Sequence, residues 1–323
     1  MKLKEIETEE LIKIKQITKK KHFSHMLDPL YIKFNELYHE TSFINKSVFL
    51  NNDNPIYIPN TINKKTKKYS FYNKPIEIFS ENEISKIDYL EIKNYFDKIK
   101  SEKLFKFEIK HEQNLIDNRL DQVEQIFNEI YIDLSQSIEQ IKNNFSSNTR
   151  NEIKKNYDGA KFEIINKENY KENEIFQMMN FHIKISGKQT RSEQSWKQNE
   201  KMILSDRGFL IKVTYKDKLV SLSFFYYNNF ICRYYSSVAD RDYFKQIRNM
   251  HHKSIWLAID HVKEKCKFFF IGPLTIFNKK NISDKEKNIE NFKSKFKGIN
   301  SRFLVLNSFP EYDFYKKFII STS

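Results

Sequence analysis

Three residues that could do chemistry surround one polar turn of the chain. His182 lies near the end of a predicted helix, Arg191 ends the turn SGKQTR, and Trp196 lies in the next predicted helix. Because imidazole titrates near neutrality, His182 is a candidate base or a hydrogen-bond partner for an acceptor. The planar guanidinium of Arg191 suits a carboxylate or phosphate on an acceptor, and Trp196 could stack on a sugar or a base. The structural alternatives are a helix-end histidine without a role, a surface arginine and a core tryptophan.

Three cations lie between a predicted strand and the helix that follows it. In VADRDYFKQIRNMHH, the side chains of Arg241, Lys245 and Arg248 could contact phosphates. His251 and His252 begin the helix, and one of them could approach an anion because backbone N–H groups are free at a helix N-terminus. Solvent exposure of this adjacent pair is the alternative, and we favour it.

Other basic residues occur on predicted helix faces. Arg150 and Lys154 lie one helical turn apart and form a basic strip, for which a solvated face is the default interpretation. Lys293 lies beside an apolar helical stripe, with Glu286 two turns earlier on its side. An internal ion pair and the binding of a donor phosphate are the two interpretations of Lys293.

Metal and nucleotide motifs are weak or missing in the sequence. His22-x-x-His25 and Glu36-x-x-His39 have the spacing of helical metal ligands, but no third ligand is evident, so we expect no metal site. The five glycines are isolated, whereas a Walker A loop or a dinucleotide fingerprint needs closely spaced glycines. The sequence therefore excludes the usual P-loop and Rossmann motifs, though not every nucleotide enzyme.

Composition favours a folded, soluble, cytoplasmic protein. Of 323 residues 39% are hydrophobic and 15% aromatic, which argues against general disorder. Cys232 and Cys266 are the only cysteines; they fit a reducing cytosol, and their strand and helix contexts indicate core positions rather than a catalytic thiol. We expect no membrane span and no signal peptide, because no apolar run approaches the roughly 20 residues that a membrane helix needs. The net charge of +14 admits a nucleic acid or polyanionic donor, but the lysines are spread along the chain, which favours a compositional bias.

The elements that must position these residues follow from the hydrophobic pattern. Residues 208–306 predict three closely spaced strands, a helix, a strand, a second helix and a last strand. The polar pair Lys216-Asp217 predicts a tight hairpin turn between the first two strands. Two helices around the turn 186–191 precede the three strands. This α/β (α+β) order predicts two domains, residues 1–160 and 161–323.

Upstream of the turn, the helix starts carry sequence signals of their own. IYIDL is a predicted strand, and Ser137 with Gln140 forms a possible capping box for the helix after it. Thr149 and Glu152 form a second candidate box, where the helix restarts.

Several stretches in this order resemble the FemAB-like branch of the GNAT-fold N-acyltransferases. IYIDLSQSIEQIKNNFSSNTRNEIKKNYDGAKFEI resembles the family's strand, helix, arginine-containing helix start, glycine and next strand. FHIKISGKQTRSEQSWKQNEKMI is similar to the helix-turn-helix of members encoded with surface-polysaccharide genes. KFFFIGPL and KEKNIENFKSKFKG resemble the closing strand and helix. The resemblance implies tandem GNAT-like domains with mixed central sheets flanked by helices, the first unit being degenerate.

The resemblance also implies roles for particular residues. Tyr234 and Tyr235 lie on the strand that faces the acyl carbonyl in this fold, and alternation sends one into the cleft and the other into the core. His182 and Tyr235 are the expected catalytic residues. The expected acceptor-binding residues are Arg191, Trp196, Arg150 and Tyr234, and the expected donor-binding residues are Val238, Arg241, Arg248, His251 and Lys293.

The activity implied is transfer of an acyl group, expected to be acetyl, from acyl-CoA to the amino group of an amino sugar or nucleotide sugar in surface-glycan biosynthesis. Some members of the family use aminoacyl-tRNA, so a ligase acting on a cell-wall or glycan precursor stays open. A non-catalytic RNA-binding or scaffold protein is the third alternative. The stretch VADRDYFKQIRNMHH lacks the glycines that let backbone amides meet a pyrophosphate, so the sequence does not decide the donor.

Overall fold

The computed structural model of the chain describes residues 3–6, 10, 28–39, 42–50, 54–80, 82–109, 122–243, 245–276 and 282–319. The helix predicted from Glu9 to Lys20 lies outside these residues apart from Glu10, and so does the pair His22 and His25.

The described elements up to Asp133 are mostly short strands. In chain order they are β1 (Lys4–Glu5), α1 (Pro29–Tyr38), β2 (Phe43–Asn45), β3 (Val48–Leu50), β4 (Ile56–Ile58), β5 (Thr61–Asn63), β6 (Tyr69–Ser70), β7 (Phe79–Ser80), α2 (Lys86–Asp97), β8 (Phe105–Glu108) and β9 (Val123–Asp133).

The elements after Asp133 are longer. They are α3 (Ile138–Asn144), α4 (Ser147–Lys154), β10 (Ala160–Ile165), α5 (Glu174–Ser186), α6 (Glu193–Leu204), β11 (Gly208–Tyr215), β12 (Lys218–Tyr227), β13 (Ile231–Ala239), α7 (Met250–Val262), β14 (Phe268–Ile276), α8 (Asp284–Ser294), β15 (Ile299–Leu306) and α9 (Tyr312–Phe318). The order predicted for residues 208–306 is confirmed.

The chain divides into two compact units. The first comprises residues 1–129, 273–286 and 301–323, and the second comprises residues 130–272 and 287–300. The second unit thus begins at Ile130, at the strand IYIDL, whereas the sequence interpretation placed the division at residue 160. The C-terminal residues 301–323 belong to the first unit.

Antiparallel strands and an aromatic core build the first unit. β1, β3, β4 and β7 form one sheet, β2, β5 and β6 form another, and β8 pairs with the part of β15 from Phe303 to Leu306. The core contains the rings of Tyr89 and Phe96 from α2 with Phe105 and Phe309, all within 6 Å of a neighbouring ring. Each fully buried ring of this size stabilises the fold by roughly 1.5–3 kcal/mol relative to an exposed one.

A mixed sheet forms the centre of the second unit, in the order β10-β11-β12-β13-β14-β9. Strands β10 to β13 are antiparallel, and β13 and β14 are parallel. Lys216 and Asp217 both have positive φ, 46° and 62°, as the favoured two-residue hairpin turn requires. The predicted turn is therefore confirmed.

The side chains of this sheet divide between its two faces. Phe209 of β11 pairs with Phe225 of β12, and its ring lies 4.6 Å from that of His261 in α7. Lys212, three residues further along β11 and so on the opposite face, contacts Glu174 at the start of α5 at 3.4 Å. Hence α7 covers one face, and α5, which packs against α6 and β13, covers the other.

Serines cap the first two helices of the second unit. Ser137 and Gln140 form the predicted capping box, so that prediction is confirmed. At the next helix the N-cap is Ser146, whose hydroxyl accepts from the backbone N–H of Thr149. The predicted box starting at Thr149 is wrong, because the helix begins three residues earlier and places Thr149 within its first turn.

Candidate functional site

The ladder between the parallel strands β13 and β14 ends before the strands do. Within the second unit the paired residues are Ile231 with Phe268, Cys232 with Phe269 and Arg233 with Phe270. β13 continues to Ala239, and β14 continues past Phe270 to Gly272 and beyond. In the described part of the second unit, the ladder along this edge of β13 therefore stops at Arg233. Such an edge can bind a further extended chain through main-chain hydrogen bonds.

A β-bulge lies just beyond the end of this ladder. Phe224 of β12 is opposite Ser236 and Phe225 is opposite Tyr234, which leaves Tyr235 as the extra residue. The ring of Tyr235 lies edge-on to Phe224 at 6.0 Å, while Tyr234 stacks on Phe225 at 5.3 Å. The two tyrosines thus lie on opposite faces of the sheet, as strand alternation predicts.

Hydroxyl groups surround the bulge on both faces. Burial raises the pKa of Tyr234, and the hydroxyls of Ser223 and Ser237 partly offset this rise. These two hydroxyls lie 2.9 Å apart. The hydroxyl of Ser236 is buried and has no hydrogen-bond partner among the described residues. Ser236 shares a face with Tyr235, so a hydroxyl without a described partner lies just beyond the end of the ladder.

A glycine and a lysine meet where the ladder ends on β14. Gly272 has φ +125°, and a Cβ added there would lie 2.7 Å from Nζ of Lys293. The Lys293 side chain therefore lies across the backbone of β14 at Gly272, where the Cβ of any other residue would clash with it.

Exposed cations follow the end of β13. Arg241, Lys245 and Arg248 are exposed in the segment between β13 and α7, and none of them forms an ion pair with a described residue. Val238, at the end of β13, is buried, and its carbonyl accepts a hydrogen bond from the Ser221 hydroxyl at 3.1 Å. The three side chains together can attract phosphate groups.

The start of α7 contains the adjacent histidines, and both rings are shielded from solvent. His252 is 3% exposed, lies 4.9 Å from the ring of Phe292, and its Nδ1 is 3.2 Å from the carbonyl of Asn249. Burial and the neighbouring His252 lower the pKa of His251 to about 4. The exposure favoured from the sequence is wrong, because α8 and the residues after it cover this end of α7. Both rings are neutral at pH 7.

On the other face of the sheet, the hairpin of α5 and α6 brings His182, Arg191 and Trp196 together. The Arg191 guanidinium lies 3.4 Å from the centroid of the Trp196 ring, and the His182 ring lies 5.8 Å from it. Burial, with a smaller effect of the Arg191 charge, lowers the pKa of His182. Nδ1 of His182 is buried without a hydrogen-bond partner among the described residues. The imidazole is therefore neutral at pH 7 and able to accept a proton.

Asn199 is a polar residue of this hairpin that the sequence did not single out. It is 0% exposed, lies one helical turn after Trp196, and neither amide atom has a hydrogen-bond partner in the described part of the chain. Its only sequence signal is an amide at an apolar helical position, between Trp196 and Met202. Ser236 gave no sequence signal at all, because its lack of a partner depends on where the β13 ladder ends.

The structure separates Arg150 from the other expected acceptor residues. Its guanidinium donates to the carbonyl of Asn143 at 3.0 Å and to that of Phe145, so it closes the corner between α3 and α4. α4 packs against α7, on the face opposite the α5–α6 hairpin. His182, Arg191 and Trp196 therefore form one group, Tyr234 to Arg248 lie along and after β13, and Lys293 lies over Gly272 of β14. α5 joins them because it packs against β13.

The remaining candidates from the sequence are the two cysteines and the possible metal ligands. Cys232 and Cys266 are buried, burial raises the pKa of each thiol, and Cys266 Sγ lies 3.2 Å from the carbonyl of Asn228. Among the described residues no group of three metal-ligating side chains occurs, and His39 stacks on Tyr72 at 5.9 Å. In the same residues no helix has the length and apolarity needed to cross a bilayer.

Solved structures with the same architecture identify the fold. The chain is similar to FemX, with a TM-score of 0.59 and 10% identity over 98% of this chain and 99% of that one. It is similar to L-PGS from Bacillus licheniformis, with a TM-score of 0.54 and 12% identity over 95% and 94% of the two chains. It is also similar to a tandem GNAT protein from the clavulanic acid biosynthesis pathway, solved without AcCoA. The TM-score is 0.51 and the identity is 6%, over 94% of this chain and 97% of that one.

These likenesses span both units and confirm the resemblance to FemAB-like and GNAT-fold proteins, with tandem GNAT-like domains in a mixed α/β architecture. At 6–12% identity they establish the fold alone. Searches of protein-family models and of curated proteins with the sequence find no match.

Proposed function

We propose that this chain is an N-acyltransferase that takes an acyl group, acetyl in the simplest case, from acyl-CoA and transfers it to the amino group of an amino sugar or nucleotide sugar. The observation that carries the proposal is the end of the described β13–β14 ladder at Arg233, with the bulge at Tyr235 beyond it and exposed cations after β13. A surface-glycan precursor is the acceptor that the sequence resemblance favours.

The donor half of the proposal rests on the chemistry of CoA. Its arm is an extended chain with amide groups, which can hydrogen-bond to a free strand edge as a further strand would. Its phosphates lie at the far end of that arm. Arg241, Lys245 and Arg248 follow the free edge, so they are in place to contact them. Side-chain cations would then replace the backbone amides of a glycine-rich loop.

Acyl transfer requires an amine without its proton and donors for the oxyanion that forms on the acyl carbonyl. In the proposed reaction the amine nitrogen attacks the thioester carbonyl carbon and its proton passes to His182. The oxyanion accepts hydrogen bonds from the Ser236 hydroxyl and from backbone N–H groups of β13 beyond the end of the ladder. When the intermediate collapses, the C–S bond breaks and the leaving thiolate takes a proton from the Tyr235 phenol. No covalent enzyme intermediate is involved.

The acceptor half of the proposal rests on the α5–α6 hairpin. Trp196 is a core residue, 2% exposed, whose ring holds the Arg191 guanidinium in place, so Arg191 offers a fixed cation that suits a sugar carrying a phosphate or carboxylate. His182 adjoins the same ring, so an amine bound there would be within the reach of a neutral imidazole. α5 brings this group to β13, where the acyl carbonyl would lie.

The test is a transfer assay that follows thiol release and product mass together. Acetyl-CoA is offered to purified protein with a panel of amino sugars and their nucleotide derivatives. We expect one acceptor class to release CoA and gain the mass of an acetyl group, and acetyl-CoA to raise the thermal midpoint. The proposal would be overturned if every acyl-CoA tested gave no transfer and no stabilisation.

A second candidate donor, aminoacyl-tRNA, is favoured by one surface of the second unit. Lys253 lies over the rings of Tyr157 and Phe162 at 5.7 and 5.3 Å, and Lys155 lies over Tyr157 at 5.1 Å. Tyr157 is buried, so these rings hold the two lysines in place, and the lysines form a basic patch that can contact a nucleic-acid backbone. Charged tRNA would then stabilise the protein with a steep dependence on salt, while acyl-CoA would not.

A further inference from the structure

A dense run of lysines forms the tip of the hairpin between β5 and β6 in the first unit. The run reads NKKTKK, and its lysines Lys64, Lys65 and Lys67 are all exposed. None of these three ammonium groups has a partner among the described residues. The tip therefore carries three positive charges that no contact within the described fold neutralises.

A second lysine-rich segment adjoins this tip. The backbone N–H of Tyr69, in β6, donates to the carbonyl of Glu102 at 2.8 Å, which brings the loop between α2 and β8 beside the hairpin. In this loop Lys98 and Lys100 are exposed and likewise lack a partner in the described part of the chain. Glu102 is the one carboxylate in the loop, and it forms an ion pair with Lys68. The five lysines without a described partner form the lysine patch, which comprises Lys64, Lys65, Lys67, Lys98 and Lys100.

Hydrogen bonds to the backbone fix the conformation of the hairpin tip. The Asn63 side-chain oxygen accepts from the backbone N–H groups of Lys65 and Thr66 at 2.9 and 3.0 Å. Lys67 has a φ of 58°, and its N–H donates to the carbonyl of Asn63 at 2.8 Å. The lysines of the tip thus project from a defined turn, so binding through them orders little additional backbone.

An exposed apolar residue adjoins the lysine patch. Ile44 of β2 lies opposite Ile62 of β5 and is 45% exposed. The backbone N–H of Lys64 donates to the carbonyl of Ser42 at 2.8 Å, so the pairing of these two strands continues to the tip. Because side chains two residues apart along a strand share a face, Lys64 lies on the same face as Ile62 and Ile44. This face of the small sheet therefore presents a cation and an aliphatic side chain together.

We propose that the lysine patch and Ile44 dock the first unit on the surface of an anionic lipid bilayer. Headgroup phosphates of such a surface attract lysines, and the boundary of its acyl chains takes up an aliphatic side chain. RNA also offers phosphates, but it has no apolar phase for Ile44, so a lipid surface matches both features. The contact is peripheral, and it is independent of the proposed acyl transfer.

Sedimentation of the full chain with lipid vesicles tests the proposal without any substrate. At low salt we expect binding to vesicles of phosphatidylglycerol and phosphatidylcholine, and none to vesicles of phosphatidylcholine alone. Each lysine near an anionic surface contributes about a fivefold factor, so the variant Lys64→Ala/Lys65→Ala/Lys67→Ala should weaken partitioning roughly a hundredfold. Ile44→Ala should weaken it roughly fivefold, because about half of the isoleucine side chain is still available for burial.

The matched control is Lys167→Ala/Lys171→Ala/Lys201→Ala, which removes the same net charge from exposed positions of the second unit. It should partition onto the vesicles as the wild type does. No binding to anionic vesicles, equal binding to neutral ones, equal loss in both lysine variants, or wild-type partitioning of Ile44→Ala would each overturn the proposal. An RNA hairpin bound through the lysine patch, without vesicle binding, would also overturn it and assign the patch to a nucleic acid. Loss of acyl transfer with vesicle binding intact would refute the proposed function alone.

Discussion

Removing the three exposed cations between β13 and α7 should weaken the binding of acyl-CoA without unfolding the protein. The perturbation is the triple variant Arg241→Ala/Lys245→Ala/Arg248→Ala. Because these side chains are exposed and form no ion pair with described residues, their loss should leave the free energy of unfolding almost unchanged. Urea titration of the wild type and the variant checks that first expectation.

The expected loss of affinity follows from the exposure of these side chains. A unit charge about 4 Å from a phosphate gains about 1 kcal/mol in water. Three such contacts therefore contribute about 3 kcal/mol, which is a factor of about 100 in the dissociation constant. In about 1 M salt the Debye length shrinks to about 3 Å, so the difference between wild type and variant should become small.

Calorimetry with acetyl-CoA at low and high salt provides the assay. The variant Lys167→Ala/Lys171→Ala/Lys201→Ala removes the same net charge from exposed positions elsewhere in the second unit, so it serves as the control. A dissociation constant that is unchanged in the first variant, or raised equally in both, would refute local phosphate contacts by these cations.

Three further predictions concern single residues. Gly272→Ala should lower the free energy of unfolding by about 1–3 kcal/mol in urea titrations, because a φ of +125° is strained for alanine and the new Cβ would lie 2.7 Å from Lys293. Adding Lys293→Ala should remove the clash and recover only that part of the lost stability. Full recovery would show that the backbone conformation at Gly272 is not strained. The lowered pKa of His251, about 4, means that the unfolded chain takes up its proton first as pH falls, so stability should be lost from about pH 6.5 down to pH 4. By pH 5 this loss should be about 2 kcal/mol from His251, and His251→Gln should show a correspondingly smaller loss than the wild type; equal losses would contradict the assignment. Ser236→Ala should leave stability unchanged, since the hydroxyl has no described partner, yet lower kcat by a factor of about 10²–10³ if it binds the oxyanion; unchanged kcat would remove it from the mechanism.

Local sequence signals predicted the elements of the second unit well. The alternating strands, the polar turn at Lys216-Asp217 and the capping box at Ser137 all depend on residues that are neighbours in the chain. The proximity of His182, Arg191 and Trp196 was predictable for the same reason, because all three lie in one short helical hairpin.

Features that depend on contacts between distant segments were not predictable in this way. The burial of His251 and His252 requires Phe292 and the residues around it to cover the start of α7. The helix start at Ser146 also involves a distant contact, since its backbone N–H donates to the carbonyl of Lys295. The bulge at Tyr235 and the free hydroxyl of Ser236 follow from the register of β12 and the ladder with β14, which no local pattern encodes.

Amide hydrogen exchange of β13 tests the central claim most directly. If the arm of an acyl-CoA lies along the edge from Tyr234 to Ala239, acetyl-CoA should slow exchange of amides in this segment, while those of β11, already paired on both sides, should change little. Acetyl-CoA that binds but protects a different segment, or that leaves exchange in β13 unchanged at saturation, would contradict the account.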